Sequence, residues 1–297
     1  MFKKTAIITG IALAMSAGAQ ADYDWELGAG YTAGKLEGKL KFNGQEVEKE
    51  DLDTDQYALS GTWYMETVDT SNGPLGEAAF LDHASNITLA FGDGKVRFNN
   101  ENNDDEQSYE ASMRYVAEGP GWKLSGWLVD LSAMRAEPEN EKIDQYNVGV
   151  GKYITDNTTL VLNYESTSLN NGNGSGVDSY GGTVEHFFAF GDGGLKAEGN
   201  FARTYLNNAD DIDSYGVSAT YYLSNNLGFG ANWEQLEQSG YEINQFGVSA
   251  EWFINESFAV SLSYMDQEAD NIRNFEQVGD KLEVTNEELA ISGLFRF

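Results

Sequence analysis

One pattern governs what this chain can fold into. Apolar residues recur at every second position over stretches of about ten residues, and a polar turn closes each stretch. Tyr215, Val217, Ala219, Tyr221 and Leu223 make one series, and Leu227, Phe229, Ala231 and Trp233 the next. Phe246, Val248, Ala250 and Trp252 follow, and then Phe258, Val260, Leu262 and Tyr264. Small, polar or charged residues such as Gly216, Ser218, Gly230, Asn232, Ser249 and Ser261 stand between them. A period of two sends the two classes to opposite faces of a sheet. One face is oily and carries rings; the other is hydrophilic. A soluble β-sandwich alternates in the same way, so periodicity alone does not choose the solvent of the oily face.

Three further signals choose lipid. Aromatic rings gather at the ends of the apolar series, as at Tyr215, Tyr221, Trp233, Trp252, Phe258 and Tyr264, where a membrane barrel carries its interfacial girdles. Connections alternate in length. Ser224-Asn225-Asn226, Asn255-Glu256 and Asp156-Asn157 are tight turns, whereas 34–52, 99–107, 169–178 and 268–284 read as longer, mostly acidic loops. Last, the chain ends on Leu289, Ile291, Gly293, Phe295 and Phe297 in strict alternation. A terminal Phe behind such a series resembles the assembly signal of outer-membrane barrels, carried here by Leu289, Ile291, Phe295 and Phe297.

The first residues read as a targeting segment. Lys3 and Lys4 precede an apolar run from Thr5 to Met15, and Ala19-Gln20-Ala21 forms a small-residue exit ahead of Asp22. The run is too short to span a bilayer, so cleavage is expected between Ala21 and Asp22. The expected organisation is a Sec-type signal peptide at 1–21 and a single barrel domain at 22–297. With 33 Gly, 3 Pro and 13% aromatic residues, the composition suits long strands rather than helices. The formal charge of −30 excludes a nucleic-acid partner, since phosphate binding needs clustered cations. There is no Cys, so disulfides contribute nothing to stability.

Segmentation gives about fourteen strands, with twelve to sixteen as the range because 34–52 has room for an extension of the first hairpin: an all-β, transmembrane, antiparallel up-and-down barrel. They fall near 23–33, 53–65, 85–98, 108–117, 121–132, 144–154, 158–168, 178–190, 195–205, 213–223, 227–237, 241–253, 257–267 and 286–297. An open edge in hydrocarbon leaves backbone groups unpaired, so the last strand must meet the first. A wall this wide is not plugged by its own side chains, and a lumen follows. Assigning the oily face to lipid leaves Glu110, Arg114, Lys123, Glu165, Glu185, Lys196, Glu198, Glu234 and Glu251 as pore-lining candidates. Acidic residues dominate that set, which predicts a weak cation preference. Lys152 and Arg203 fall in the lipid register near strand ends, where they snorkel; His186 falls there too, with a bulge at Gly181-Gly182 as one way to move it.

Residues 66–84 stand where a short turn belongs. Pro74 and the spacing of Leu75, Ala78, Phe80 and Leu81 predict one or two helical turns, resting on the rim or, in a sharper reading, folded into the lumen. The acidic loops lack the spacing of a calcium loop, so no metal or cofactor is expected. A barrel hydrolase would have to use Ser179 and Asp178 without a well-placed base, since His83 and His186 are the only histidines. A structural or adhesive barrel is the main rival to a channel.

Signal segment, alternation and Phe297 together resemble Gram-negative outer-membrane porins over the whole chain beyond residue 21, and in size and strand count the monomeric fourteen-stranded porins that pass sugars and oligosaccharides. The resemblance implies no enzymatic activity and passive diffusion of small hydrophilic solutes, ions and sugars among them, through the outer membrane. It also implies lipid, lipopolysaccharide and the barrel-assembly machinery as partners. The infolded third loop of trimeric porins is missing, with 133–143 short, which favours a monomer.

Overall fold

A computed structural model of the protein describes residues 22–42, 45–98, 102–117, 125–138, 142–169, 175–206, 210–239, 241–270 and 280–297. Fourteen antiparallel strands close on themselves, each paired with its sequence neighbours and the last with the first. They are β1 (Tyr23–Phe42), β2 (Gln45–Val68), β3 (Asn86–Phe98), β4 (Asn102–Val116), β5 (Trp127–Glu137), β6 (Ile143–Thr155) and β7 (Thr158–Leu169). The circuit continues with β8 (Ser175–Phe190), β9 (Gly193–Tyr205), β10 (Ile212–Ser224), β11 (Leu227–Gln238), β12 (Tyr241–Asn255), β13 (Phe258–Asp270) and β14 (Asp280–Arg296).

Alternation sets the two faces. Leu89, Leu162, Val217, Leu262 and Ile291 are exposed on the outside, as a wall bathed in acyl chains requires. Two bands of rings bound this belt. Trp25 and Trp63, with Trp127 and Trp252, sit near the end that carries the short turns and both termini; tyrosines dominate the other band, in tilted pairs such as Tyr31–Tyr57 and Tyr164–Tyr180, each 5.0 Å apart.

At the closure seam, Phe297 N–H donates to the Trp25 carbonyl at 3.1 Å, its own carbonyl accepts from Trp25 N–H at 3.0 Å, and its ring stacks on Trp25 at 6.5 Å.

Several expected loops are strand. The segment 34–52 continues the first hairpin, so that β1 and β2 rise well past the lipid belt with β14 alongside them. Strand also occupies 102–107, 175–178 and 280–284 of the other expected loops. The bulge expected at Gly181-Gly182 is not formed: β7 and β8 pair without a register shift from Leu169–Ser175 to Thr158–His186. His186 therefore stays on the outer face, where Thr158 Oγ1 meets its Nδ1 at 2.7 Å and Phe188 packs against its edge.

Candidate functional site

The segment between β2 and β3, residues 69–85, enters the barrel, against the reading that rests it on the rim. Two 3-10 turns (Thr70–Asn72 and Leu75–Glu77) and one α-helical turn (Ala78–Leu81) make a compact plug. Asp69 caps the first turn by accepting from Ser71 N–H at 2.8 Å. From there the plug reaches across to the far wall. Leu75 N–H donates to the carbonyl of Asn225, in the turn between β10 and β11, at 2.8 Å.

Apolar contacts seat it. Leu75 packs with Phe253 and Ala259; Phe80 joins Val116, Leu128, Tyr153, Val161, Phe187 and Tyr222; Ala78 joins Tyr23, Tyr64 and Val68. The wall supplies inward rings at this end because its aromatics come in doublets, Trp63-Tyr64, Phe187-Phe188, Tyr221-Tyr222 and Trp252-Phe253. Neighbours along a strand face opposite ways, so one ring of each doublet joins the girdle and the other becomes a socket.

Polar groups fix the seat. Glu77, 3% exposed, accepts from Tyr222 Oη at 2.7 Å and pairs with Lys196 Nζ at 3.0 Å. Lys196 also pairs with Glu185 at 2.6 Å and lies over the Phe80 ring at 5.5 Å. Tyr153 Oη donates to the Phe80 carbonyl at 3.0 Å, and His83 Nε2 meets the Asp156 carbonyl at 2.9 Å. Arg296, 4% exposed, donates through Nη1 to the Leu75 carbonyl at 2.7 Å, pairs with Glu26 at 2.7 Å, and lies between the rings of Tyr23 and Phe253 at 4.4 and 4.6 Å.

Burial pushes the Glu77 carboxyl above the usual carboxylate range; the facing Lys196 and the Tyr222 hydroxyl pull it back only in part, and Glu185 adds to the rise. Glu251 on β12 and Arg296 on β14 complete its charged surroundings. Docked, Glu77 holds its proton more tightly than in water, so docking takes up a proton and acid favours the seated plug. If the plug gates a pore, open probability falls as pH drops through the range between the raised value of docked Glu77 and the ordinary carboxylate value. Single-channel recording at stepped pH checks this, and Glu77→Gln flattens the dependence.

Of the sequence-predicted residues, Glu110, Arg114, Glu165, Glu185, Lys196, Glu198, Glu234 and Glu251 fall on the inward parity, opposite in sense to exposed neighbours such as Tyr109, Tyr115, Tyr164 and Trp252. Lys123 lies outside the described residues, and β5 begins only at Trp127 rather than 121. The structure brings Glu185, Glu198 and Lys196 together, since Glu185 and Glu198 are direct cross-strand partners. Arg114 instead forms a two-pronged pair with Asp130, at 2.8 and 2.9 Å. Asp130, Glu77, Tyr222, Glu26 and Arg296 were not among the sequence candidates. On the outer face, Lys152 sits over the Trp127 ring at 5.8 Å and Arg203 pairs with Asp213 at 2.6 Å. Ser179 bonds Thr204 at 2.6 Å while Asp178 accepts from Tyr164 on the opposite face, so that pair points apart.

No protein-family model matches the chain, and no curated protein matches it. Among solved structures, the outer membrane protein Omp33 of Acinetobacter baumannii aligns with a TM-score of 0.57 at 17% identity, over 93% of this chain and 99% of that one. The protein has the outer-membrane β-barrel fold. A deltaS2 mutant of the monoaromatic hydrocarbon channel TodX, from Pseudomonas putida, also aligns at 0.57, with 10% identity over 97% and 95% of the two chains. At such identities the likeness is one of fold. What distinguishes this barrel is the contrast between a hydrophilic mid-wall and the docked plug that crosses its short-turn end.

Proposed function

We infer that the protein is a gated outer-membrane channel for small hydrophilic solutes, ions and sugars among them, and that residues 69–85 are its gate. The observation that carries this is the way the plug is held. Each cationic wall group that grips it has a second acceptor on the wall itself: Lys196 has Glu185 and Arg296 has Glu26. When the plug leaves, neither cation is stranded, and Glu77 passes into water. Buried charges that keep their partners in both states make undocking cheap in electrostatic terms, which is the condition for a two-state element. The seat is therefore maintained chiefly by apolar burial.

The remaining features fit this reading. Fourteen strands enclose more space than their side chains fill, and acidic groups outnumber basic ones on the inward face, which favours cations. A structural or adhesive barrel has no use for a removable floor.

The test is a reversible lock. Leu75 and Asn225 meet backbone to backbone, and the chain has no Cys of its own. A Leu75→Cys/Asn225→Cys double variant in a planar bilayer is expected to lose current on oxidation and regain it on reduction. Reversal potentials under a KCl gradient are expected to show cation preference. Current that ignores the redox state removes the gate, and absence of current even when Leu75→Ser with Phe80→Ser empties the seat removes the channel.

A further inference from the structure

The strands lean against the barrel axis, and the pairing register fixes by how much. A row of paired residues that starts at inward Gly30 reaches Ser175 on β8 by way of β2, and Ala189 on β8 by way of β14. Those ends lie fourteen residues apart on one strand, so over fourteen strands the row climbs towards the loop end by one residue per strand. Positions at one height are found by stepping back one residue towards the turns at each strand. From Asn163 on β7, the step of two strands arrives at Asn200 on β9. The same step again arrives at Asn232 on β11. All three point inward, since their neighbours Leu162, Phe201 and Trp233 are exposed on the outer face. They form a level arc of carboxamides half-way up the lumen.

Each amide lies against a glycine on the adjoining strand. Asn163 faces Gly149, Asn200 faces Gly216, and Asn232 faces Gly247. A methyl group at any of these glycines would stand on the Oδ1 of its asparagine. The side chains thus recline along the wall, in notches that a missing Cβ leaves, and do not project across the lumen. None of the three carboxamides has a hydrogen-bond partner among the described residues. Their donors and acceptors are left to whatever fills the pore.

The surroundings say what that can be. Within one residue of this height, Glu110 on β4 is the sole ionisable group among the described inward residues. Glu165 and Glu234 stand two residues above the arc and Glu198 two residues below, so charge is selected at other heights. The far wall carries Gly30 and Ala90 at this level, which leaves room beside the amides. A carboxamide bears no net charge and presents an acceptor beside two donors, the complement of hydroxyls on adjacent carbons. Water satisfies it in the empty pore, so exchange for a sugar hydroxyl gains little. Weak, reversible binding is what passage requires. Next-but-one strands are about 10 Å apart, so a short saccharide can meet two amides at once.

We propose that Asn163, Asn200 and Asn232 form a saccharide subsite, where an uncharged sugar pauses with its hydroxyls against the carboxamides. Gly149, Gly216 and Gly247 keep the subsite clear by letting the amides recline. This deepens the channel reading by assigning the residues that recognise one of its solute classes. It rests on that reading for passage but not for binding.

The probe is maltotriose, followed by saturation-transfer NMR on the full barrel in lipid nanodiscs, with empty nanodiscs subtracted. Polyethylene glycol of similar mass is the comparison, because its ether oxygens accept hydrogen bonds but do not donate them; it is expected to give the weaker signal. Asn200→Ala with Asn232→Ala is expected to weaken maltotriose binding about tenfold, the worth of two net hydrogen bonds. Ser60→Ala, on the far wall, is expected to change nothing. The glycines give a second arm. The atom that a new methyl displaces is the free end of a side chain, so Gly216→Ala with Gly247→Ala is compatible with the fold and pushes both amides into the lumen. In planar bilayers this pair is expected to lower the KCl conductance of the plug-released Leu75→Ser/Phe80→Ser barrel. Adding Asn200→Ala and Asn232→Ala is expected to restore it. Equal signals from maltotriose and the glycol, or undiminished binding in the folded asparagine variant, overturn the subsite. Conductance that the added alanines fail to restore overturns the part given to the glycines. Asparagine-dependent binding without current keeps the subsite and removes the channel; current without binding does the reverse.

Discussion

Replacing Arg296 by Met is expected to lower the stability of the barrel by about 3–5 kcal/mol, the cost of stranding one member of a buried ion pair. Arg296 faces Glu26 directly across the first–last strand seam, and the pair is nearly inaccessible to water. The Glu26 carboxylate would keep only the Tyr64 hydroxyl, at 2.9 Å, and the Leu75 carbonyl would lose its donor. Pairing Arg296→Met with Glu26→Gln removes the orphaned charge, and most of the loss is expected to return, since apolar groups of similar volume often replace a buried pair at little cost. Arg296→Lys should fall between, because an ammonium reaches one acceptor well and stacks poorly between two rings. Denaturant unfolding of the lipid-embedded barrel, read by tryptophan fluorescence, checks the order of the three variants. A single variant as stable as wild type would show that the seam does not depend on this pair.

That clamp explains what the sequence could and could not reveal. Alternation places nearly every strand and both faces, because a membrane barrel must obey it wherever lipid touches the wall. It leaves 34–52 undecided between a loop and an extended hairpin because the stripe that marks a strand is a stripe of lipid contact. On the projecting hairpin no lipid is present, and Lys35, Glu37, Lys39 and Asp51 take the outward positions. The plug fails for a different reason. Leu75, Phe80 and Glu77 find their partners on β6, β9, β10, β12 and β14, up to 221 residues away, and no local pattern announces such pairing. One signal did exist. A ring on each of two successive strand positions, as in Tyr221-Tyr222 and Trp252-Phe253, forces a ring into the interior. Four such doublets at one end, Trp63-Tyr64 and Phe187-Phe188 with these two, imply an apolar object there to receive them. Arg296 carried a similar hint: a cation at inward parity, next to the terminal Phe, needs an interior partner.

The same physics decides which residues hold the gate shut. If ionic groups keep partners in both states, removing them shifts the equilibrium little, and the burden falls on Leu75 and Phe80, 7% and 8% exposed. Each contributes roughly 1.5–3 kcal/mol when buried, so Leu75→Ser with Phe80→Ser removes about 3–6 kcal/mol from the docked state. That corresponds to a shift of about 10²–10⁴ in the closed-to-open ratio, enough to turn a mostly shut channel into a mostly open one. The barrel wall loses no strand contact, so its unfolding midpoint should move far less than that of Arg296→Met. Liposome swelling in a graded series of sugars, compared with wild type, reads the effect directly. A large rise in flux at nearly unchanged barrel stability is the expected result. Unchanged flux in a folded double variant would mean that apolar burial does not control access, and the plug would then be a fixed part of the floor.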